Sequence, residues 1–187
     1  HVDYYPVSSL MEYYRKVTDA EADALVEEYK KLYTIKIDES GEQVYWEKVK
    51  NSAKAEIAIR RVLADEGATA FTTNFDDLGG ADIDIPEFFG FDQIPGLASQ
   101  RLMEEGIGFG AEGDWKTACL CRTLWVMSQG LPTGCSFLED YTLNFAGDRS
   151  SILQSHMLEV CPLIASDKPK LEVHFLGIGI RKQQTAR

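Results

Sequence analysis

No apolar run in this 187-residue chain approaches the roughly 20 residues that a membrane-spanning helix requires. The opening HVDYYPVSS has no basic stretch followed by an apolar one, so it does not read as a secretory signal. It also has no initiator Met, which suggests a start inside a longer chain. Positive charge is scarce: 19 Lys and Arg against 30 Asp and Glu leave a net charge of −11. Such a surface repels phosphate backbones, and no basic amphipathic helix is available for a lipid surface. The composition therefore argues against nucleic acid and membrane as partners and leaves a neutral small molecule or a cation. Cysteine is also sparse. Cys119, Cys121, Cys135 and Cys161 form no C-x-x-C pair, and three of them sit in apolar company. That pattern reads as buried, reduced thiols in a cytoplasmic protein rather than a zinc site or a disulfide framework. Internal repeats, low-complexity segments and coiled-coil heptads are all missing.

What is present is an ordinary globular composition, 44% hydrophobic and 26% charged, in a chain long enough to bury its own core. Thr18 and Glu21 form a capping box ahead of a helix over 19–33, with Ala22, Leu25, Val26, Tyr29, Leu32 and Tyr33 at helical spacing. A longer helix over 43–66 carries Trp46, Val49, Ala53 and Ile57 on one stripe and stops at Gly67. ATAFTTNF (68–75) reads as a buried strand, and 76–93 as an irregular surface excursion. Pro95 opens a helix that Gly106 ends. IGFGAEG (107–113) is a strand and turn, and Asp114 caps a helix to about Ser128 that is apolar nearly all round and should be buried. After GLPTG come three strand-like runs, CSFLEDYTLNF, ILQSHMLEVC and KLEVHFLGIG. Helix–strand alternation thus gives way to consecutive strands near Gly134. The expected division is an α/β domain over 1–133 and the beginning of a β domain over 134–187.

Three motifs carry candidate chemistry. GFGAEGDWK sets Glu112 in a Gly-flanked turn before a helix, where an acid is either solvated or stabilised by the helix's positive end. SFLEDYT puts Glu139 on one face of a strand with Phe137 and Tyr141, a costly place for a carboxylate that is neither paired nor metal-bound. SHMLEVCP puts His156 in an apolar strand, where a core histidine bonded to backbone is the plain alternative to a ligand. His174 and His1 take that plain reading. Glu159 lies on the opposite strand face from His156, solvated or paired with a neighbour. Glu112, Glu139 and His156 together form a hard oxygen and nitrogen set suited to Mn²⁺, Mg²⁺ or Co²⁺ with positions left open for substrate oxygens. No thiolate takes part, which disfavours structural zinc.

IPGLASQRLMEEGIGFGAEGDWKTA, CSFLEDYT, SHMLEVCP and HFLGIG resemble the L-arabinose isomerase family. The opening YYPVSSLMEYYRKVTDAEADALVEEYKKLYTI and AFTTNFDDL resemble its central region. The resemblance covers nearly the whole chain, with the separations 112 to 139 and 139 to 156 as in the family. It implies a central Rossmann-like α/β domain followed by the first strands of a β-barrel-type C-terminal domain. It implies that Glu112, Glu139 and His156 bind a divalent ion, usually Mn²⁺, while a fourth ligand, a second histidine, lies beyond Arg187. His174 does not match that ligand. Phe75 corresponds to an aromatic lining the sugar pocket. The implied activity is aldose–ketose isomerisation through an ene-diol, L-arabinose to L-ribulose or D-galactose to D-tagatose, in a cytoplasmic homohexamer. Glu112 and Glu139 would serve as acid and base.

The departures are Leu138, Leu143 and Asn144 in LEDYTLNF, Phe175 and Ile180 in HFLGIGIRK, and an apparent insertion over 79–92. Ile180 beside the pocket bears on substrate preference. Two other readings stay open on the residues: a two-carboxylate glycoside hydrolase that needs no metal, and a non-catalytic sugar-binding or assembly domain.

Overall fold

The computed structural model describes residues 1–37, 39, 41–74, 95–132, 134–156, 158–178 and 181–186, with the backbone alone from residue 174. Pro6 leads into α1 (Val7–Arg15), a further helix whose Val7, Leu10, Met11 and Tyr14 recur at helical spacing, with Met11 its one buried residue. Met11 meets Ala55, flanked by Val7, Leu10 and Tyr14. Helix α2 (Asp19–Leu32) begins where the capping box requires. The Thr18 hydroxyl accepts from the Glu21 amide at 3.3 Å, and the Glu21 carboxylate accepts from the Thr18 amide at 2.9 Å. Both orphan amides are thereby satisfied.

A short strand, β1 (Thr34–Ile35), precedes α3 (Glu42–Asp65). The expected stripe of α3 is turned slightly. Tyr45, Val49, Ala53 and Glu56 are buried, whereas Trp46 and Ile57 are half-buried. The helix packs against α1 and α2 and against α4 (Gly96–Glu104), so more than one side is covered. Glu56, fully buried, accepts from the Tyr29 hydroxyl at 2.6 Å and from Arg60, with Arg101 on α4 at 3.7 Å. A buried carboxylate survives only with such partners.

Strands β2 (Ala70–Thr73) and β3 (Gly108–Ala111) pair in parallel, Ala70 opposite Gly108 and Thr73 opposite Ala111, with α4 in the connection. The irregular excursion expected over 76–93 lies outside the described residues. Helix α5 (Trp115–Met127) lies directly on β3. A Cβ at Gly108 would stand 2.8 Å from the Arg122 Cβ, and one at Gly110 2.8 Å from the Ala118 amide nitrogen. These two glycines provide close approach, not backbone freedom.

The expectation that α5 is buried all round fails. Ala118 and Cys121 alone are buried, while Trp115, Leu120, Leu124, Val126 and Met127 are exposed. Its inner face meets β2 and β3, and among the described residues nothing is packed over the outer one.

Beyond Gly134 the chain forms an antiparallel hairpin, β4 (Glu139–Asn144) with β5 (Ser151–Ser155), and a second one, β7 (Val173–Ile178) with β8 (Arg181–Ala186). Between them β6 (Lys170–Leu171) pairs in parallel with β1. Leu171 and Val173 are fully buried among Ala22, Tyr29, Tyr45 and Val49, and the Tyr45 hydroxyl donates to the Leu171 carbonyl at 2.7 Å. The chain is a mixed α/β fold, as expected. All four cysteines are free thiols, with Cys121 and Cys161 buried and Cys119 exposed. Among the described residues no helix is long and apolar enough to cross a membrane.

Candidate functional site

Glu112 follows the last residue of β3 and has φ 57°, the one positive φ among the described non-glycine residues. Left-handed backbone costs a residue with a Cβ about 1–2 kcal/mol. The surroundings impose it. The Gly113 amide donates to the Thr73 carbonyl of β2 at 3.3 Å, and the Asp114 amide to Ala111 at 3.0 Å. The Asp114 side chain caps α5, accepting from the Thr117 amide at 3.0 Å, and the Thr117 hydroxyl and amide hold its carboxyl below the ordinary range. Strand and helix thus fix both ends of a turn of which Glu112 is the strained, exposed corner. Strain kept at a polar corner points to function.

Glu139 opens β4, half-buried, and stands opposite Ser155, the last residue of β5. His156 comes next. It is not inside a strand as expected: β5 ends at Ser155, and the following segment turns towards a single 3₁₀ turn at Pro162–Ile164. The alternation that put Glu139 on a face with Phe137 and Tyr141 is also interrupted, because the register shifts between Asp140 and Thr142. Phe137 is buried and Tyr141 exposed.

Three bonds or stacks hold the segment after β5. The Gln100 side chain of α4 donates to the Leu158 carbonyl, and the Cys161 amide donates to the Ser136 hydroxyl at 2.9 Å. The His156 ring meets the Phe137 ring edge-on at 4.8 Å. Phe137 in turn meets Phe109 of β3 at 6.0 Å, and Phe109 meets Phe71 of β2 at 5.1 Å. This aromatic row joins the parallel pair that ends near Glu112 to the hairpin end that holds Glu139 and His156.

Of the two readings of Glu159, solvated or paired with a neighbour, the structure shows the second, though not across a strand from His156. The Glu159 side chain is 2% exposed, and its Oε2 lies 3.1 Å from Nδ1 of His156, itself 4% exposed. No local signal marks the contact, because i, i+3 residues are partners in a turn but lie on opposed faces in a strand.

The hairpin thus brings Glu139 and His156 to one end, and the aromatic row ties that end to the strand before Glu112. Among the described residues no three His, Cys, Asp or Glu side chains form a group that could hold a metal ion. The donor chemistry nonetheless fits a hard divalent cation. Two carboxylates are offered, and the imidazole has Nδ1 engaged by Glu159, the outer-shell arrangement usual for a histidine that binds metal through Nε2. Phe75 lies outside the described residues, as does the His174 side chain. His1 is exposed and pairs with Asp3 at 2.8 Å.

Comparison with known proteins follows the same motifs. A family profile described as the L-arabinose isomerase central domain matches residues 1–130, and one described as the L-arabinose isomerase C-terminal domain matches residues 134–187. Relatives named L-arabinose isomerase include one from Bacteroides thetaiotaomicron, 64% identical over 100% of this chain and 36% of its own length. Another, from Phocaeicola vulgatus, is 62% identical over 100% and 36%. A third, from Tolumonas auensis, is 46% identical over 95% and 34%. The chain spans about a third of the length of the curated relatives it matches.

Proposed function

Since the chain belongs to the L-arabinose isomerase family, we propose that it works within a metal-dependent aldose–ketose isomerase. The substrate pair is L-arabinose and L-ribulose, with D-galactose and D-tagatose as a second pair, and the setting is a cytoplasmic homohexamer. In this reading residues 1–133 form the central domain and 134–187 begin the barrel-type one. The observation that carries it is Glu112, held at φ 57° on a turn fixed from both sides.

Moving a carbonyl from C1 to C2 means removing a proton from C2, sheltering an ene-diolate, and returning a proton to C1. Glu112 and Glu139 take those two transfers between them, one as base and the other as acid. With His156 they also hold the cation, Mn²⁺ or else Co²⁺ or Mg²⁺; a further histidine from outside this chain completes the set. When bound, that ion supplies electrostatic stabilisation of the charge developing on the sugar oxygens. Phe75, outside the described residues, is assigned to the sugar pocket by the family motif alone.

Ketose formation by the full-length enzyme tests this. Glu112→Gln and Glu139→Gln should each lower turnover by at least roughly 100-fold with unchanged circular dichroism. Chelation should abolish turnover in the parent. Normal turnover in either variant removes that glutamate from the chemistry. Hydrolysis of a glycoside that survives chelation would instead make the carboxylates a metal-free hydrolytic pair. Sugar binding with no turnover of any aldose would make the chain a binding domain.

A further inference from the structure

Two groups of Glu159 compete for one atom of His156. The Glu159 amide lies 3.2 Å from Nδ1, a contact in which Nδ1 accepts. The Glu159 carboxylate Oε2 lies 3.1 Å from the same Nδ1, a contact in which Nδ1–H donates. A ring nitrogen does one or the other. The two side chains are 4% and 2% exposed, so water does not settle the choice cheaply. If Nδ1 accepts from the amide, Oε2 has no hydrogen-bond partner although it is fully buried. If Nδ1–H donates to Oε2, only the amide loses a long bond. Leaving a charged acceptor unsatisfied costs more than leaving a neutral donor so, and hydrogen bonds to a carboxylate are about twice as strong as neutral ones.

We propose that Glu159 is a positioning residue for His156, its carboxylate accepting a hydrogen bond from Nδ1–H and so fixing the tautomer whose lone pair is on Nε2. This rests on the reading of His156 as a metal ligand. Glu159 has no other charged partner among the ion pairs of the described residues. The segment that carries it is immobilised independently of any cation, by Gln100 at Leu158 and by Ser136 at Cys161. Phe137 stands edge-on to the ring, which limits its rotation. The chain therefore sets the direction of the imidazole before an ion arrives. Pre-orientation of this kind raises metal affinity without touching sugar or metal.

The test is Mn²⁺ binding to the metal-free full-length enzyme, followed by electron paramagnetic resonance of the free ion, for the parent, Glu159→Gln, Glu159→Asp and His156→Ala. Glu159→Gln should raise the Mn²⁺ Kd by about 10- to 100-fold, and Glu159→Asp, which keeps the charge, by less. At saturating Mn²⁺ the sugar KM of both should be parental, an outcome that general loosening of the site would not give. Parental Mn²⁺ affinity in folded Glu159→Gln, beside lost affinity in His156→Ala, overturns the role of Glu159 alone. Parental affinity in His156→Ala overturns the ligand assignment and this inference with it. Should Glu159→Gln not fold, Glu159→Asp decides: weakened Mn²⁺ binding supports the role, and parental affinity refutes it.

Discussion

At Glu112 the backbone conformation and the chemistry pull in opposite directions, because glycine would suit the turn and a carboxylate would suit the reaction. Replacing a residue by glycine in regular structure costs about 0.5–1 kcal/mol in chain entropy. Here relief of the left-handed conformation, about 1–2 kcal/mol, should offset that cost. Glu112→Gly is accordingly expected to leave the urea midpoint of the full-length enzyme unchanged or slightly raised while abolishing ketose formation. A clear loss of stability would show that the strain is not real. The buried thiols have a different consequence. Burial pushes Cys121 and Cys161 up from 9.0 to about 11. The unfolded chain therefore loses these protons near pH 9 while the native one keeps them. The stability they contribute is full below pH 9 and is lost as pH rises towards 11. The denaturation midpoint should fall over that window, and less so in a Cys121→Ala, Cys161→Ala double variant. At pH 8 both thiols should resist alkylation until the protein is denatured. The burial of Cys121 and Cys161 was legible in ACLC and LEVCP, but the same reading failed for Cys119, which lies in ACLC on the outer face of α5 and is exposed. The contact of Glu159 with His156 was not legible, because it depends on where β5 stops, and three residues separate partners in a turn but opposed faces in a strand.

Elements with local grammar were readable from that grammar. Thr18 with Glu21, Pro95 and Asp114 each begin a helix as their side chains dictate. Helix α1 has no capping side chain to mark its start, although Val7, Leu10, Met11 and Tyr14 at i, i+3, i+4 and i+7 carry its periodicity. The burial of α5 was misread because apolar residues all round a helix report how much surface wants covering, not what in this chain covers it. The glycines of IGFGAEG are of two kinds. Gly108 and Gly110 admit α5 to β3, whereas Gly113, at φ 85°, has open space around it. Gly108→Ala and Gly110→Ala should each cost about 1–3 kcal/mol by overpacking, and should shift the β3–α5 turn enough to lower turnover. Gly113→Ala should cost about 1–2 kcal/mol through backbone strain alone. Urea unfolding of the three variants checks the distinction. Equal costs with equal turnover would mean that helix and strand do not depend on the missing side chains.

Over the whole molecule, the α/β part and the strand-rich part are tied more closely than the change of pattern near Gly134 suggests. Leu171 and Val173 fill the core formed by α2, α3 and α4, and the Phe71–Phe109–Phe137–His156 row crosses from the parallel pair to the first hairpin. Long-range pairing of this kind, β6 with β1 across more than a hundred residues, has no local signal in a sequence. The candidate ligands were readable as motifs because oxygen and nitrogen donors stand out in apolar company. Their relative placement was not, because Glu112 is set by the parallel β2–β3 pair and Glu139 and His156 by the β4–β5 hairpin. What remains is whether Glu112, Glu139 and His156 share one ion. Crystals of the full-length enzyme equilibrated with Mn²⁺ should give a single anomalous peak per subunit, bonded to both carboxylates and to Nε2 of His156. A peak elsewhere, or bonding that omits any of the three, would contradict the assignment.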